Sequence, residues 1–158
     1  MQKGNSLQSD VADCRKARKR LRKAGNSQMK RKWKIGSELF AIGSLGYSAL
    51  EILWRGFTHW TMAVTGGVCF TAVYYLSGKY CKKPMWKKCL IGSTVITAVE
   101  FVVGCVVNLL LKWNVWDYSR MRGNILGQIC LLYSVLWFLL SFPLCLLSDR
   151  LRRTFAKR

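Results

Sequence analysis

Four apolar blocks, over residues 35–54, 60–78, 89–111 and 124–147, alternate with short clusters of lysine and arginine. About 20 helical residues cross roughly 30 Å of hydrocarbon at 1.5 Å per residue, so each block is long enough to span a bilayer. Backbone in lipid must satisfy its own N–H and C=O groups, so blocks of this kind predict helices. The chain carries a formal charge of +19, yet 51% of its residues are hydrophobic. In a basic soluble domain the two would mix. Here they are segregated, as in a membrane protein. The expected fold is all-α and polytopic, with four transmembrane helices.

The basic residues also predict orientation. Residues 1–34 hold 12 Lys and Arg, the loop 79–88 holds 5 and the tail 148–158 holds 5, against 4 (Arg55, Lys112, Arg120, Arg122) on the opposite side. Cytoplasmic loops are enriched in Lys and Arg, which places both termini in the cytoplasm, and an even number of spans agrees. The chain therefore divides into a basic arm (1–34), a four-helix transmembrane domain (35–147) and a basic tail (148–158). No short apolar segment with a cleavage site precedes the first block, so that block is expected to serve as the insertion signal.

The arm is densest at Arg15, Lys16, Arg18, Lys19, Arg20, Arg22 and Lys23. Like charges this close repel one another, so the arm is expected to be flexible or to lie on a surface. Anionic lipid at the cytoplasmic leaflet is the favoured partner. A cytoplasmic protein is an alternative. Nucleic acid is disfavoured, because the run lacks the interleaved aromatics on which bases stack.

Enzyme chemistry finds little footing. The seven cysteines are odd in number and include no CxxC pair, and His59 is the only histidine, so neither a zinc site nor a disulfide framework is expected. No phosphate-binding GxxxxGK[ST] loop occurs. No catalytic residue, metal or cofactor is expected.

The two halves of the apolar region look related. Gly43-Ser44-Leu45-Gly46-Tyr47-Ser48-Ala49-Leu50-Glu51 aligns with Gly92-Ser93-Thr94-Val95-Ile96-Thr97-Ala98-Val99-Glu100, and Gly66-Gly67-Val68-Cys69 echoes Gly127-Gln128-Ile129-Cys130. This predicts two related helical hairpins in parallel orientation, with chance similarity between apolar segments as the alternative.

Two carboxylates inside the blocks are the candidate ligand or ion site. A charge at mid-membrane costs several kcal/mol by most estimates, so such residues face a cavity or a partner. Glu100 lies near the middle of its block, and Ser93, Thr97, Gly104 and Asn108 share its helical face. Glu51 lies nearer the outer end, with Arg55 one turn on, in the favourable order for an ion pair. In the fourth block Gly123 and Gly127 have the spacing of closely packed helices. Asn124 and Gln128 are expected on one helical face, within reach of Glu100 or Asn108. Both glutamates also admit a purely structural role. The loop before the fourth block, with Trp116, Asp117, Tyr118 and Arg120, reads as an outer aromatic belt in which Asp117 either caps the next turn or pairs with Arg120 or Arg122.

The combination Gly46-Tyr47-x-x-x-Glu51-x-x-Trp54-Arg55, Thr97-Ala98-Val99-Glu100-Phe101-x-x-Gly104, Trp116-Asp117-Tyr118-Ser119 and Asn124-Ile125-x-Gly127-Gln128-Ile129-Cys130-Leu131 resembles bacterial membrane proteins described as putative ABC-transporter type IV. The resemblance implies a permease-like protein of the bacterial plasma membrane. Three functions stay open. One is an oligomeric transport component with a separate ATPase subunit, in which Glu51, Glu100, Asn108, Asn124 and Gln128 bind a proton, cation or cationic substrate. Another is a small proton-coupled exporter of cationic compounds, and the third a scaffold or sensor that presents the basic arm.

Overall fold

The computed structural model describes the backbone of residues 3–157 and the side chains of residues 22–157. Arg15, Lys16, Arg18, Lys19 and Arg20 of the expected lipid-facing run lie outside the described side chains. Among the described residues the fold is all-helical and without strands: α1 (Lys3–Arg55), α2 (Trp60–Lys79), α3 (Met85–Gly104), a π-helical turn over Cys105–Leu110 and α4 (Leu131–Ala156). The chain forms two compact units, residues 1–37 and Glu38–Arg158. The first is helical, and the described side chains within it, Arg22 and Lys23 among them, are mostly exposed.

In the second unit the helix ends follow local chemistry. Gly56 ends α1 with φ +78, its N–H donating to the Ile52 carbonyl at 2.9 Å. Glycine adopts this left-handed cap without a Cβ penalty. His59 precedes α2 with extended backbone, and its Nδ1 lies 2.7 Å from Thr61 Oγ1. Pro84 sets the start of α3, where its missing N–H has no partner to lose.

Helix α2 is the centre of the unit, burying Met62, Cys69, Phe70, Val73 and Tyr74. Small residues bring its neighbours close. A Cβ on Gly43 of α1 would stand 2.6 Å from Phe70 Cβ and 2.7 Å from the Gly66 carbonyl. One on Gly92 of α3 would stand 2.8 Å from Ser141 Oγ of α4. Tight approach of small residues is how helices associate where lipid offers no competing hydrophobic drive. At the end of α4, Arg152 donates to the Tyr74 carbonyl at 2.6 Å and pairs with Asp149 at 3.0 Å, while Lys88 reaches Asp149 at 3.5 Å.

Two helical stretches, Met85–Leu110 and Leu131–Ala156, are long and apolar enough to cross a membrane. Large apolar side chains on both face outward, among them Leu90, Val102, Leu110, Leu131, Leu139 and Phe142. The second half of α1 is interrupted by Glu38, Gly43, Gly46 and Glu51, and α2 by Thr, Gly and Tyr, which lowers the hydropathy of both.

The fourth helix differs from the expectation. It begins at Leu131, not at Asn124, and runs to Ala156 through the expected tail. Residues 111–130 form a folded loop instead. Gly123 (φ +65), Leu126 (φ +53) and Gly127 (φ +66) turn its backbone through left-handed conformations. Gly123 and Gly127 are thus turn glycines, and Asn124 and Gln128 share no helical face. The second half of the proposed repeat also fails to align, because Gly66–Cys69 lies within α2 whereas Gly127–Cys130 precedes α4.

Candidate functional site

The polar seam of α3 faces α4 and the 111–130 loop. Ser93 donates to the Ser134 carbonyl at 2.9 Å. One turn beyond Thr97, Glu100 is 3% exposed. Its Oε2 accepts the Trp137 indole N–H at 2.6 Å and its Oε1 the Tyr118 hydroxyl at 3.3 Å. Among the described residues no Lys, Arg or His lies within ion-pairing distance of it. A buried carboxyl held by neutral donors alone has no fixed countercharge.

Glu51 is built differently. It is also buried, but Arg55 donates to Oε1 at 2.9 Å and Thr58 to Oε2 at 2.6 Å. The same guanidinium donates to the Val115 carbonyl at 2.9 Å and lies 4.7 Å from the Phe57 ring centroid. Glu51 is thereby neutralised, and with Arg55 it pins the α1–α2 connection to the 111–130 loop.

Asn108 and Gln128 come together, though not at Glu100. Asn108 Nδ2 donates to Gln128 Oε1 at 2.8 Å, while its Oδ1 accepts the Val115 N–H at 2.8 Å. Gln128 Nε2 donates to the Leu126 carbonyl at 2.9 Å, and the Gln128 carbonyl accepts the Trp116 indole at 3.0 Å. The π-helical turn places Asn108 in this cluster. Gly104 just before it leaves room for Trp116, for a Cβ there would stand 3.0 Å from Trp116 Cζ2. The side chains satisfy one another and fasten the loop. Asn124 serves the loop alone, donating to the Ser119 and Met121 carbonyls and accepting from Gly127 N–H.

The aromatic loop corrects the belt reading in part. Trp116 is 4% exposed and packs inward, whereas Trp113 forms an edge-on cluster with His59 and Trp60 at 5.8 and 5.9 Å. Asp117 makes no ion pair with Arg120 or Arg122 among the described residues. Its Oδ1 accepts the Ser119 N–H at 2.8 Å and its Oδ2 the Ser119 hydroxyl at 3.0 Å. These bonds hold its carboxyl below the usual aspartate range. Arg120 is exposed on the turn.

Of the cavities, two are lined by the buried glutamates. The larger, about 650 Å³, is bounded by the end of α1, residues 116–121 and α4. Glu51 lines it, with Trp54, Trp116, Tyr118 and Tyr133. The smaller, about 190 Å³, is lined by Glu100, Cys69 and the glycines of the α1–α2 contact. Tyr47, Leu50, Trp137 and Leu140 line both and form the partition between them. Sequence reasoning missed Trp137 as the partner of Glu100. The available signal was an indole N–H in the middle of an apolar block, far from any belt, where a buried donor needs an acceptor.

A family model described as putative ABC-transporter type IV matches residues 40–157. No curated protein and no solved structure matches the chain.

Proposed function

Since the chain belongs to the putative ABC-transporter type IV family, and is a membrane protein with two membrane-capable helices, we propose that it is a permease-like transport component whose Glu100 takes up a proton, a cation or a cationic substrate. The observation that carries this reading is the burial of Glu100 beside a cavity with two neutral donors and no countercharge. A carboxyl used only for packing would more economically be a Gln, which keeps the acceptor without the desolvation cost. The reading narrows the site to Glu100. Asn108, Asn124 and Gln128 shape the loop around it, and Glu51 anchors the outer end of α1.

All four helical blocks cross the bilayer in this proposal, with both termini cytoplasmic, in the bacterial plasma membrane. The chain has no catalytic function of its own. The outward apolar side chains of α3 and α4 suit lipid or a second copy in a homo-oligomer. If transport is ATP-driven, a separate ATPase subunit engages the exposed 79–88 loop. If it is proton-driven, protonation of Glu100 supplies the coupling, and export of cationic compounds follows.

The test uses the intact chain purified in mild detergent from its own membrane, then reconstituted in liposomes. Uptake of ethidium is followed with a pH gradient or with ATP and any co-eluting ATPase. Glu100→Gln is expected to cut uptake by at least tenfold while inserting normally. Full uptake by Glu100→Gln would overturn the role of that carboxyl. Loss of function on deletion of residues 1–34, with the bundle still inserted in the membrane, would favour the scaffold reading.

A further inference from the structure

The larger cavity has a chemistry that the transport reading leaves unassigned. Its volume, about 650 Å³, lies within the usual range for small-molecule sites. Its walls include six aromatic side chains: Tyr47, Trp54, Trp116, Tyr118, Tyr133 and Trp137. Four of these form a continuous row. The rings of Tyr118 and Tyr133 stack at 4.6 Å, Tyr133 and Trp137 lie 6.2 Å apart, and Trp137 and Tyr47 lie 6.1 Å apart. An anion would meet the negative faces of these rings, whereas a cation is attracted to them.

The charged groups on the walls point the same way. Glu51, Asp117 and Arg55 are present, and the Arg55 guanidinium is already taken by Glu51 and the Val115 carbonyl. That leaves Asp117 at the rim, which forms no ion pair among the described residues, accepts from Ser119 and feels the charge of Arg120 nearby. The donors that hold Glu100, Tyr118 and Trp137, are themselves walls of this cavity. A guest there would sit one aromatic layer from the buried carboxyl.

We propose that this aromatic-lined cavity between α1, α4 and the 116–121 loop binds an organic cation of the quaternary ammonium or phosphonium class, held by ring faces and by the carboxylate at its rim. As the substrate of a transporter, this ligand rests on the transport reading above. Its binding can be measured without any transport.

The full-length chain in nanodiscs of neutral lipid is equilibrated with tetraphenylphosphonium, and binding is compared with empty nanodiscs. Saturable binding is expected, displaced by benzyltrimethylammonium and at least tenfold less well by its neutral isostere neopentylbenzene. Trp54→Leu and Tyr133→Leu should each weaken binding by fivefold or more, while Tyr133→Phe, which keeps the ring, should bind like the parent. Trp54 has 70% of its surface exposed, so its replacement leaves the packing in place even if Tyr133→Leu unfolds. Equal displacement by the neutral isostere, or unchanged binding in Trp54→Leu, would make the cavity a generic apolar recess for lipid chains and overturn the proposal. Loss of uptake in Glu100→Gln with tetraphenylphosphonium binding retained would uphold both readings. Normal uptake in that variant with binding retained would remove the role of Glu100 and leave the cation site standing.

Discussion

At the scale of single residues, the two buried glutamates look alike in sequence and differ in circumstance. Glu51 comes with its cation one helical turn away, and that spacing was legible. The partners of Glu100, Tyr118 and Trp137, are 18 and 37 residues distant, and no local pattern announces a contact of that range. The difference predicts a specific cost. Trp137→Phe keeps the ring contacts but removes the N–H, leaving Oε2 of a buried carboxyl without a donor. A loss of roughly 1–3 kcal/mol is expected, read from equilibrium unfolding in mixed detergent. In a Glu100→Leu background the same substitution should cost little, because the orphaned acceptor is gone. A neutral Trp137→Phe in the parent would mean that the indole does not hold the carboxyl.

At the scale of elements, the end of α1 and the extent of α2 were readable from the apolar runs, whereas α1 begins at Lys3, far before residue 35, and α3 begins at Met85 and passes into the π-helical turn at Cys105. The start of α4 was not readable either. Residues 124–130 are apolar enough to extend a helix on composition, and the backbone leaves the helix through left-handed conformations at Gly123, Leu126 and Gly127. A glycine pair four apart serves a helix interface and a turn equally well, so the spacing alone could not decide. Once the loop folds, Gly104 acquires a function that its position in α3 does not reveal. A Cβ there would stand 2.6 Å from Gln128 Oε1 and 3.0 Å from both Gln128 Cβ and Trp116 Cζ2. The Gln128 side chain cannot simply swing aside, since Asn108 and the Leu126 carbonyl hold its amide. Gly104→Ala is therefore expected to destabilise by about 1–3 kcal/mol through overpacking, with Trp116 emission shifting to the red as the indole meets water. Gly46 of α1 meets nothing within 4 Å, so Gly46→Ala should be neutral or slightly stabilising, as alanine is the better helix former. Equal effects at the two sites would contradict the packing described.

At the scale of the whole molecule, the distribution of charge and the lengths of the helices both bear on the proposed four-span topology. Helix α4, with 26 residues, is about 39 Å long at 1.5 Å per residue, longer than the hydrocarbon layer. Its Asp149–Arg152 end, tied to Tyr74 and Lys88, therefore reaches the same interface as the lysine-rich 79–88 loop. In the four-span proposal the 111–130 loop lies on the opposite side, and Arg55 joins it to the α1–α2 connection through Val115. A chain with only α3 and α4 in the bilayer would leave that connection on the cytoplasmic side, so the Arg55–Val115 bond itself argues for α1 and α2 crossing as well. Cysteine accessibility separates the two arrangements. In intact spheroplasts, an impermeant maleimide should miss the exposed Cys81 until the membrane is permeabilised. On a background with the native cysteines replaced, Phe57→Cys and Ser119→Cys, both at exposed positions, should label without permeabilisation. Labelling at Ser119→Cys with protection at Phe57→Cys would mean two spans instead of four. It would also separate Arg55 from Val115 by the thickness of the membrane, which their hydrogen bond does not allow.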